Sequence, residues 1–221
     1  MHHTNCKSRV VEGNVLEYRH KSSTTPLPDS DFITNLICQI PKKMNRSLHL
    51  SESFVISCGT VTLDIDQSKV LVIYLRKTGE YCLPKGRKNV GEQLEAASVR
   101  ETYEETGYNV ELLPLQLTTL ATLPGHDSRF TITGGTTEPV AVTQRTNQGV
   151  LKIIFWYAAR GDSSAIRQMN TTDQVDEDFD AVWCPMDEVV QLLTFQDDKT
   201  IAARVIETAR GGAVPTVVPA A

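Results

Sequence analysis

The sequence predicts an α/β fold in which strands precede and follow one central helix along the chain. Two apolar, β-branched runs, Phe54 to Leu63 and Lys69 to Leu75, are separated by turn residues and predict paired strands. Leu94 to Thr106 contains neither proline nor glycine and follows Gly91, so it predicts a helix. Val150 to Ala158 then predicts the strongest strand of the chain. Strands before and after a helix are typical of an α/β domain.

The segments around these elements carry weaker local signals. Val110 to Leu123 predicts an extended segment, and Thr131 to Gln148 predicts a long loop or an irregular hairpin. Met186 to Phe195 and Lys199 to Arg210 predict two helices, and the pair Gly211-Gly212 is expected to end the second. Further helices are therefore expected after the last strands.

One domain with two flanking segments is the expected organisation. Residues 1–52 are polar and irregular and predict an N-terminal extension, in part flexible because Ser22 to Pro28 has the composition of a linker. Within it, Asp31 to Ile40 carries apolar residues at helical spacing, although a strand fits nearly as well. Residues 53–210 form the predicted domain, and residues 211–221 form a predicted disordered tail.

Composition and cysteine usage argue against several classes of protein. A chain of 221 residues that is 40% hydrophobic can bury one full core. The net charge of −5 argues against a nucleic-acid binder, and no apolar run approaches membrane-spanning length. The five cysteines are widely spaced without a C-x-x-C pair, which favours a reducing compartment. We expect a cytoplasmic monomer that acts on a small molecule, and secretion with a removed signal peptide stays open.

The stretch from Gly86 to Tyr108, GRKNVGEQLEAASVRETYEETGY, carries the strongest chemical signal. It contains the pattern G-x5-E-x7-R-E-x-x-E-E-x-G. On the predicted helix, Glu101, Glu104 and Glu105 stand at i, i+3 and i+4 and share one face. Three carboxylates so close repel one another unless a divalent cation lies among them, and Mg²⁺ or Mn²⁺ suits an all-oxygen set of ligands. The pattern therefore predicts a metal site.

The alternative is that these glutamates form an ordinary solvated helix face. The upstream Gly86 and Glu92, which stand at fixed distances from the helix, favour the catalytic interpretation. A binding module for phosphorylated ligands that carries an inert motif is the non-enzymatic alternative.

This motif resembles that of the Nudix hydrolases, which cleave a diphosphate linked to another group. The resemblance implies an α/β/α sandwich with a mixed β-sheet between helices, and a pyrophosphohydrolase that depends on Mg²⁺ or Mn²⁺. It implies that Glu101, Glu104 and Glu105 are catalytic and that they bind the metal together with Gly86.

Two further implications concern the framework of the motif. The resemblance pairs Arg100 with Glu92 as a structural brace of the loop-helix-loop. Thr102 departs from the family, which usually has an aliphatic residue at this position. Because the position packs inward, we expect the departure to affect local stability rather than catalysis.

Basic residues outside the helix are candidates for phosphate contacts. The segment from Arg76 to Gly86, RKTGEYCLPKG, resembles diphosphoinositol polyphosphate phosphohydrolases, in which an arginine at the matching place meets a phosphate. This resemblance implies diphosphoinositol polyphosphates (inositol pyrophosphates) as substrates. The sequence LPKG resembles diadenosine polyphosphate hydrolases equally well, and Lys85 stands where the inositol enzymes have glycine. The predicted phosphate-binding residues are Arg76, Lys85, Arg87, Lys88, Arg145 and Lys152.

Several alternatives stay open on the sequence alone. Nucleoside-diphosphate sugars and the RNA cap are further candidate substrates. Glu177 or Asp178 could supply an additional metal ligand or a general base, although a solvated acidic loop is the favoured interpretation. His126 could contact phosphate or act as an acid, or it could be a loop histidine without a functional role. Trp156 and Tyr157 could stack on a base or pack in the core.

Overall fold

The structure is a computed structural model that describes residues 47–121, 130–131, 135–168 and 179–211. These residues form ten strands, three α-helices and a short 3-10 helical turn at Ser51–Ser53. The strands are β1 (Phe54–Asp64), β2 (Lys69–Leu75), β3 (Glu80–Cys82), β4 (Lys85–Arg87), β5 (Val110–Leu112), β6 (Thr118–Thr119), β7 (Phe130–Thr131), β8 (Ala141–Asn147), β9 (Val150–Gly161) and β10 (Phe179–Pro185). The helices are α1 (Leu94–Thr106), α2 (Val189–Leu192) and α3 (Gln196–Ala209).

Eight of these strands form one mixed sheet with the order β10-β2-β1-β9-β5. The short strands β3 and β4 pair with β2 and β1, and β8 pairs with β9. The central pair β1 and β9 is parallel over ten residue pairs, from Phe54 with Leu151 to Leu63 with Arg160. The other pairs in this sheet are antiparallel, so the prediction of a mixed sheet is confirmed.

Helices cover the two faces of the sheet. On one face, Thr60 of β1 meets Thr102 of α1 through their hydroxyls. On the other face, alternate residues of β1 such as Val61 and Leu63 join a core cluster that includes Val205 of α3. Because successive side chains of a strand point to opposite faces, β1 serves both layers. The result is the expected α/β/α sandwich, and none of the described helices is long and apolar enough to cross a membrane.

The strands β1, β2 and β9 and the helix α1 lie where the sequence predicts them. Of the two alternatives predicted for Thr131 to Gln148, a long loop or an irregular hairpin, the second half fits the hairpin, because it is strand β8. Gln148 and Gly149 both have positive φ, of 49° and 79°, so they form a two-residue turn that joins β8 to β9. This turn makes β8 and β9 a regular hairpin.

The C-terminal helices also differ in their ends. The helix predicted from Met186 to Phe195 is only the single turn α2, and α3 begins earlier than predicted, at Gln196. It ends at Ala209, and Gly211 has a φ of 75°, in agreement with the predicted stop. The described cysteines, Cys58, Cys82 and Cys184, are buried free thiols. The predictions for residues 1–46 and 212–221 and for His126, Glu177 and Asp178 lie outside the described residues.

Candidate active site

Helix α1 carries the three glutamates of the motif and has well-defined ends. It starts after Gln93 and ends at Gly107, whose φ of 75° is left-handed and whose N–H donates to the carbonyl of Tyr103. A Cβ at Gly107 would also overlap the carbonyl oxygen of Gln168. The N–H of Gln168 in turn donates to the carbonyl oxygen of Gly107. Glycine is therefore required at the end of this helix by both conformation and packing.

The inward face of α1 is held to β1 by hydroxyl groups. Thr102 is fully buried, and its Oγ1 donates to the carbonyl of Ser98 at 2.8 Å. The same oxygen lies 2.8 Å from Oγ1 of Thr60, which lies 2.7 Å from Oγ1 of Thr62. The threonine that replaces an aliphatic residue thus has hydrogen-bond partners, because β1 places two further threonines opposite it.

Arg100 connects the loop before α1 to its acidic face. Its guanidinium donates to both carboxylate oxygens of Glu92, from Nε at 2.7 Å and from Nη2 at 2.9 Å. The third nitrogen, Nη1, lies 2.8 Å from Glu101 and 2.7 Å from Glu104. Nη2 also donates to the carbonyl of Arg87 at 3.0 Å. The predicted brace between Arg100 and Glu92 is therefore present in the structure, and it extends to the two glutamates.

The charges of this cluster shift one another's protonation equilibria. The hydrogen bonds from Arg100 hold the pKa of Glu92 below its usual range. Burial raises the pKa of Glu101, and the neighbouring carboxylates of Glu104 and Glu92 raise it further, although Arg100 opposes them. A carboxylate with a raised pKa beside other carboxylates is one that a bound cation would stabilise.

The described residues fit a divalent metal ion in their chemistry. Oxygens of Glu101 and Glu104 already converge on one cationic nitrogen of Arg100, and all the donors are hard oxygens. Glu105 accepts a hydrogen bond from the backbone N–H of Lys85 at 2.6 Å. Among the described residues, no three acidic, cysteine or histidine side chains are placed so that they could bind one metal ion together. The glutamates are bound instead to Arg100 and to the backbone. Glu101, Glu104 and Glu105 would hold the ion beside the backbone of Gly86.

Two basic residues lie directly opposite each other on the hairpin of β8 and β9. Arg145 is the cross-strand partner of Lys152, and Lys152 is in turn the register partner of Val55 on β1. Register partners project from the same face of a sheet. Arg145 and Lys152 therefore share the face that Val55 presents.

The other two basic residues of this face come from β4. Ser57 and Gly59 follow Val55 at alternate positions of β1, and their register partners on β4 are Arg87 and Lys85. Arg87 and Lys85 therefore project from the same face as Arg145 and Lys152. We call these four residues the basic face: Lys85, Arg87, Arg145 and Lys152.

Lys152 is a partly buried member of the basic face. Its pKa is lowered to about 8, first by burial and then by the positive charges of Lys85 and Arg145. The carboxylate of Glu105 acts in the opposite direction. Lys85 therefore links the basic face to the glutamates, because its backbone N–H binds Glu105 while its side chain faces Lys152.

Two predicted phosphate contacts are not brought into the basic face. Arg76 lies at the end of β2, and its Nε donates to Asp180 of β10 at 2.9 Å. This pairing holds the pKa of Asp180 below its usual range. Lys88 follows Arg87 and so points to the opposite face, where its Nζ donates to the carbonyl of Asn89 at 2.8 Å. The structure therefore does not place Arg76 and Lys88 beside the other predicted basic residues, because Asp180 pairs with Arg76 and Lys88 points to the opposite face.

A cavity of about 230 Å³ adjoins the basic face. Its walls come from the sheet and from the first turn of α3, and they include Lys85, Arg145, Ile154, Trp156, Phe195 and Asp198. The indole of Trp156 is fixed by a hydrogen bond from Nε1 to Thr143 at 3.0 Å. Tyr157, which alternates to the other face, is buried in the core.

Asp198 was not predicted from the sequence as a site residue. It is buried, its Oδ2 accepts a hydrogen bond from the N–H of Leu83 at 3.0 Å, and burial raises its pKa. The sequence signal was available, since Asp197 and Asp198 stand in the first turn of a helix, where acidic residues are favoured. The predicted start at Lys199 left both residues in a loop.

A comparison with protein families decides the classification. The family model described as NUDIX domain matches residues 56–205, which is more than half of the chain. The chain belongs to the Nudix family. Nudix hydrolases generally use divalent metal ions such as Mg²⁺ or Mn²⁺, which agrees with the oxygen donors of α1.

Relatives of this Nudix domain include two curated proteins. An 8-oxo-(d)GTP phosphatase of Mycolicibacterium smegmatis is 27% identical over 139 residues, which cover 63% of this chain and 34% of the relative. Putative nudix hydrolase 1 of Caenorhabditis elegans is 40% identical over 85 residues, 36% of this chain and 23% of that protein. The chain thus spans about a third or less of these relatives. Among solved structures, a C. elegans Ap4A hydrolase binary complex is 15% identical with a TM-score of 0.49, covering 71% of this chain and 98% of the other.

Proposed function

We propose that this Nudix domain is a metal-dependent pyrophosphohydrolase that cleaves a diphosphate linkage in a nucleotide. The observation that carries the proposal is the position of Lys85. Its side chain lines the cavity and belongs to the basic face, and its N–H binds Glu105 of the acidic helix. A ligand in the cavity would therefore extend its phosphates over cations towards the glutamates.

The walls of the cavity favour a nucleobase. Trp156 and Ile154 line the cavity from the core and are only 1% and 3% exposed, whereas Phe195 is 38% exposed and offers the aromatic surface on which a planar ring can pack. Asp198 and its neighbour Asp197 supply carboxylates that accept hydrogen bonds from amino groups on a base edge. The relative from M. smegmatis, described as an 8-oxo-(d)GTP phosphatase, supports a nucleotide.

A diphosphoinositol polyphosphate is the second candidate, and the four cations of the basic face favour it. Charge-assisted contacts with guanidinium and ammonium groups suit a ligand that carries many phosphates. The carboxylates of Asp197 and Asp198 count against it, because they would repel a ring whose every side is phosphorylated. Diadenosine polyphosphates satisfy both requirements, since they combine a base with a long phosphate chain.

The proposed roles of the residues follow from their positions. Glu101, Glu104 and Glu105 would hold a divalent metal ion, and Gly86 allows the backbone of β4 to approach them. Bound metal ions would supply charge neutralisation of the diphosphate and an activated water. Arg100 keeps the acidic face assembled when these carboxylates are not bound to metal.

A substrate panel tests this proposal. The purified chain is assayed with Mg²⁺ and with Mn²⁺ against 8-oxo-dGTP, dGTP, diadenosine tetraphosphate, an inositol pyrophosphate, ADP-ribose and capped RNA. We expect the highest kcat/KM for a compound that contains both a base and a phosphate chain. A higher kcat/KM for the inositol pyrophosphate would replace the nucleotide proposal with the second candidate. Metal-dependent binding of nucleotides without any turnover would instead indicate the non-enzymatic binding module.

A further inference from the structure

The basic face brings four cations together, and described carboxylates act on some of them: Glu105 on Lys152, and Asp198 on Lys85 and Arg145. Arg145 and Lys152 are direct cross-strand partners, and like charges at such positions destabilise a sheet. The carboxylate that most raises the pKa of Lys152 is Glu105, which is already bound by the N–H of Lys85. A partly buried ammonium that faces other cations indicates a place for an anion.

Ser57 provides a second, independent observation on the same face. It is fully buried and lies on β1 between the register partners of Lys152 and Lys85. Its hydroxyl has no hydrogen-bond partner among the described residues. Buried hydroxyls are nearly always hydrogen-bonded, so this one marks a position where a polar group completes the site.

The basic face is also wide. Its members stand on β8, β9 and β4, and β1 lies between β9 and β4. Three strand spacings of roughly 4.8 Å separate the outer members, so the backbone positions extend over roughly 14 Å. One pair of linked phosphates can be served by Lys85 and Arg87 beside the glutamates, and this leaves Arg145 and Lys152 for phosphates beyond that pair.

We propose that Arg145 and Lys152 form a phosphate subsite that takes a third linked phosphate, so that the domain selects triphosphate or longer chains over diphosphates. The inference rests on the proposed function, since it concerns the same cleft. It adds a specificity determinant, because the hairpin of β8 and β9 would bind the third phosphate and so select for the length of the phosphate chain. This selection is separate from the glutamates of α1.

The test measures binding without metal, so that it does not depend on turnover. Inorganic triphosphate, pyrophosphate and orthophosphate are titrated calorimetrically into the chain in the presence of a chelator. We expect the chain to bind triphosphate at least about tenfold more tightly than pyrophosphate, because additional charged hydrogen bonds form. Lys152→Met should weaken the binding of triphosphate by about tenfold or more. The affinity of the variant for pyrophosphate should stay within about threefold of that of the unmodified chain. Equal affinities for the two anions, or an equal loss of both in the variant, would overturn the subsite.

Matched variants keep the result interpretable. Lys77→Met removes one exposed lysine from the turn after β2 and should bind both anions like the unmodified chain. Lys152→Met should fold, because it keeps the apolar stem and removes a cation from among cations. If it does not fold, Arg145→Gln on the exposed edge strand tests the same subsite.

A kinetic arm separates this inference from the proposed function. The ratio of kcat/KM for a nucleoside triphosphate to that for the matching diphosphate should exceed about tenfold and fall towards unity in Lys152→Met. If no nucleotide is hydrolysed but triphosphate still binds preferentially, the proposed function fails and the subsite stands. If nucleotides are hydrolysed with no preference for chain length, the subsite fails and the proposed function stands.

Discussion

Gly86 and Glu101 are in direct contact, and a Cβ built at position 86 would overlap the carboxylate of Glu101. The two residues lie on different elements, since Gly86 is the centre of β4 and Glu101 lies on α1. The φ angle of Gly86 is not positive, so the backbone conformation alone does not require glycine. The close approach of the strand to the carboxylate is what requires it.

Gly86→Ala is therefore expected to displace Glu101 and to lower kcat by about a hundredfold, since small misplacements of catalytic groups cost this much. Circular dichroism should show an unchanged fold, and steady-state kinetics with Mg²⁺ measures the loss. Adding Glu101→Gln to this variant should cost little more, because both changes disturb the same carboxylate. Additive effects of the two substitutions would refute the link.

Glu104→Gln and Glu105→Gln are each expected to lower turnover at least about a hundredfold, the usual cost of removing a group that stabilises the transition-state charge. Glutamine keeps the shape of both side chains, so thermal unfolding should change little. Activity should also require added Mg²⁺ or Mn²⁺ and disappear with a chelator. Either variant with turnover near that of the unmodified chain would remove the metal-site interpretation.

Arg100→Met should destabilise the domain more without metal than with it. The substitution leaves the carboxylates of Glu92, Glu101 and Glu104 without their shared cation, and we expect the free energy of unfolding to fall by about 3 kcal/mol in chelator. Added Mg²⁺ should restore part of this loss, because the proposed metal would bind Glu101 and Glu104 only in the folded chain. Denaturant titrations in both conditions measure the difference. An equal loss in both would show that the arginine and the metal do not share these ligands.

Thr102→Val should lower stability by about 1–2 kcal/mol while leaving kcat nearly unchanged, because a buried hydroxyl of Thr60 loses a partner. Replacing Thr60, Thr62 and Thr102 together with valine should cost less than this single change, since removing all partners leaves fewer unpaired groups. Chemical denaturation of the single and triple variants checks the order. A triple variant less stable than the single one would contradict it.

The affinity for inorganic triphosphate should fall as the pH rises through about 8. Burial and the positive charges of Lys85, Arg145 and Arg87 lower the pKa of Lys152 to about 8. The carboxylate of Glu105 acts in the opposite direction and raises it. Below that pH the side chain is an ammonium, and above it the neutral amine cannot offset a phosphate charge. Calorimetric titrations between pH 7 and about 9.5 in chelator should show the loss. In Lys152→Met this loss should be absent, and an identical profile in the variant would assign the effect to another group.

The sequence determined the acidic helix almost completely. Leu94 to Thr106 is a helix with the predicted bounds, because it lacks proline and glycine and stops at Gly107. The spacing of Glu101, Glu104 and Glu105 then fixes their common face, since helical geometry is local. The resemblance to Nudix hydrolases also implied the brace between Arg100 and Glu92, and the two side chains are paired in the structure.

The composition of the basic face was decided only by the tertiary structure. Lys85, Arg87, Arg145 and Lys152 are far apart in sequence, and they meet because β4, β8 and β9 pair with β1 or with each other in one register. A shift of one residue in any strand would turn its side chain to the other face, and no local pattern specifies that register. The same alternation directs Lys88 away, and a partner on β10 holds Arg76.

The cavity likewise depends on packing between distant segments. Asp198 reaches it because α3 docks on the sheet and the carboxylate accepts the N–H of Leu83, a contact that joins residues 115 positions apart. Helix periodicity and motif spacing act within a few residues and could therefore identify the acidic helix. The cations and the cavity that we propose as the substrate site required the long-range strand register and helix docking that only folding of the whole domain provides.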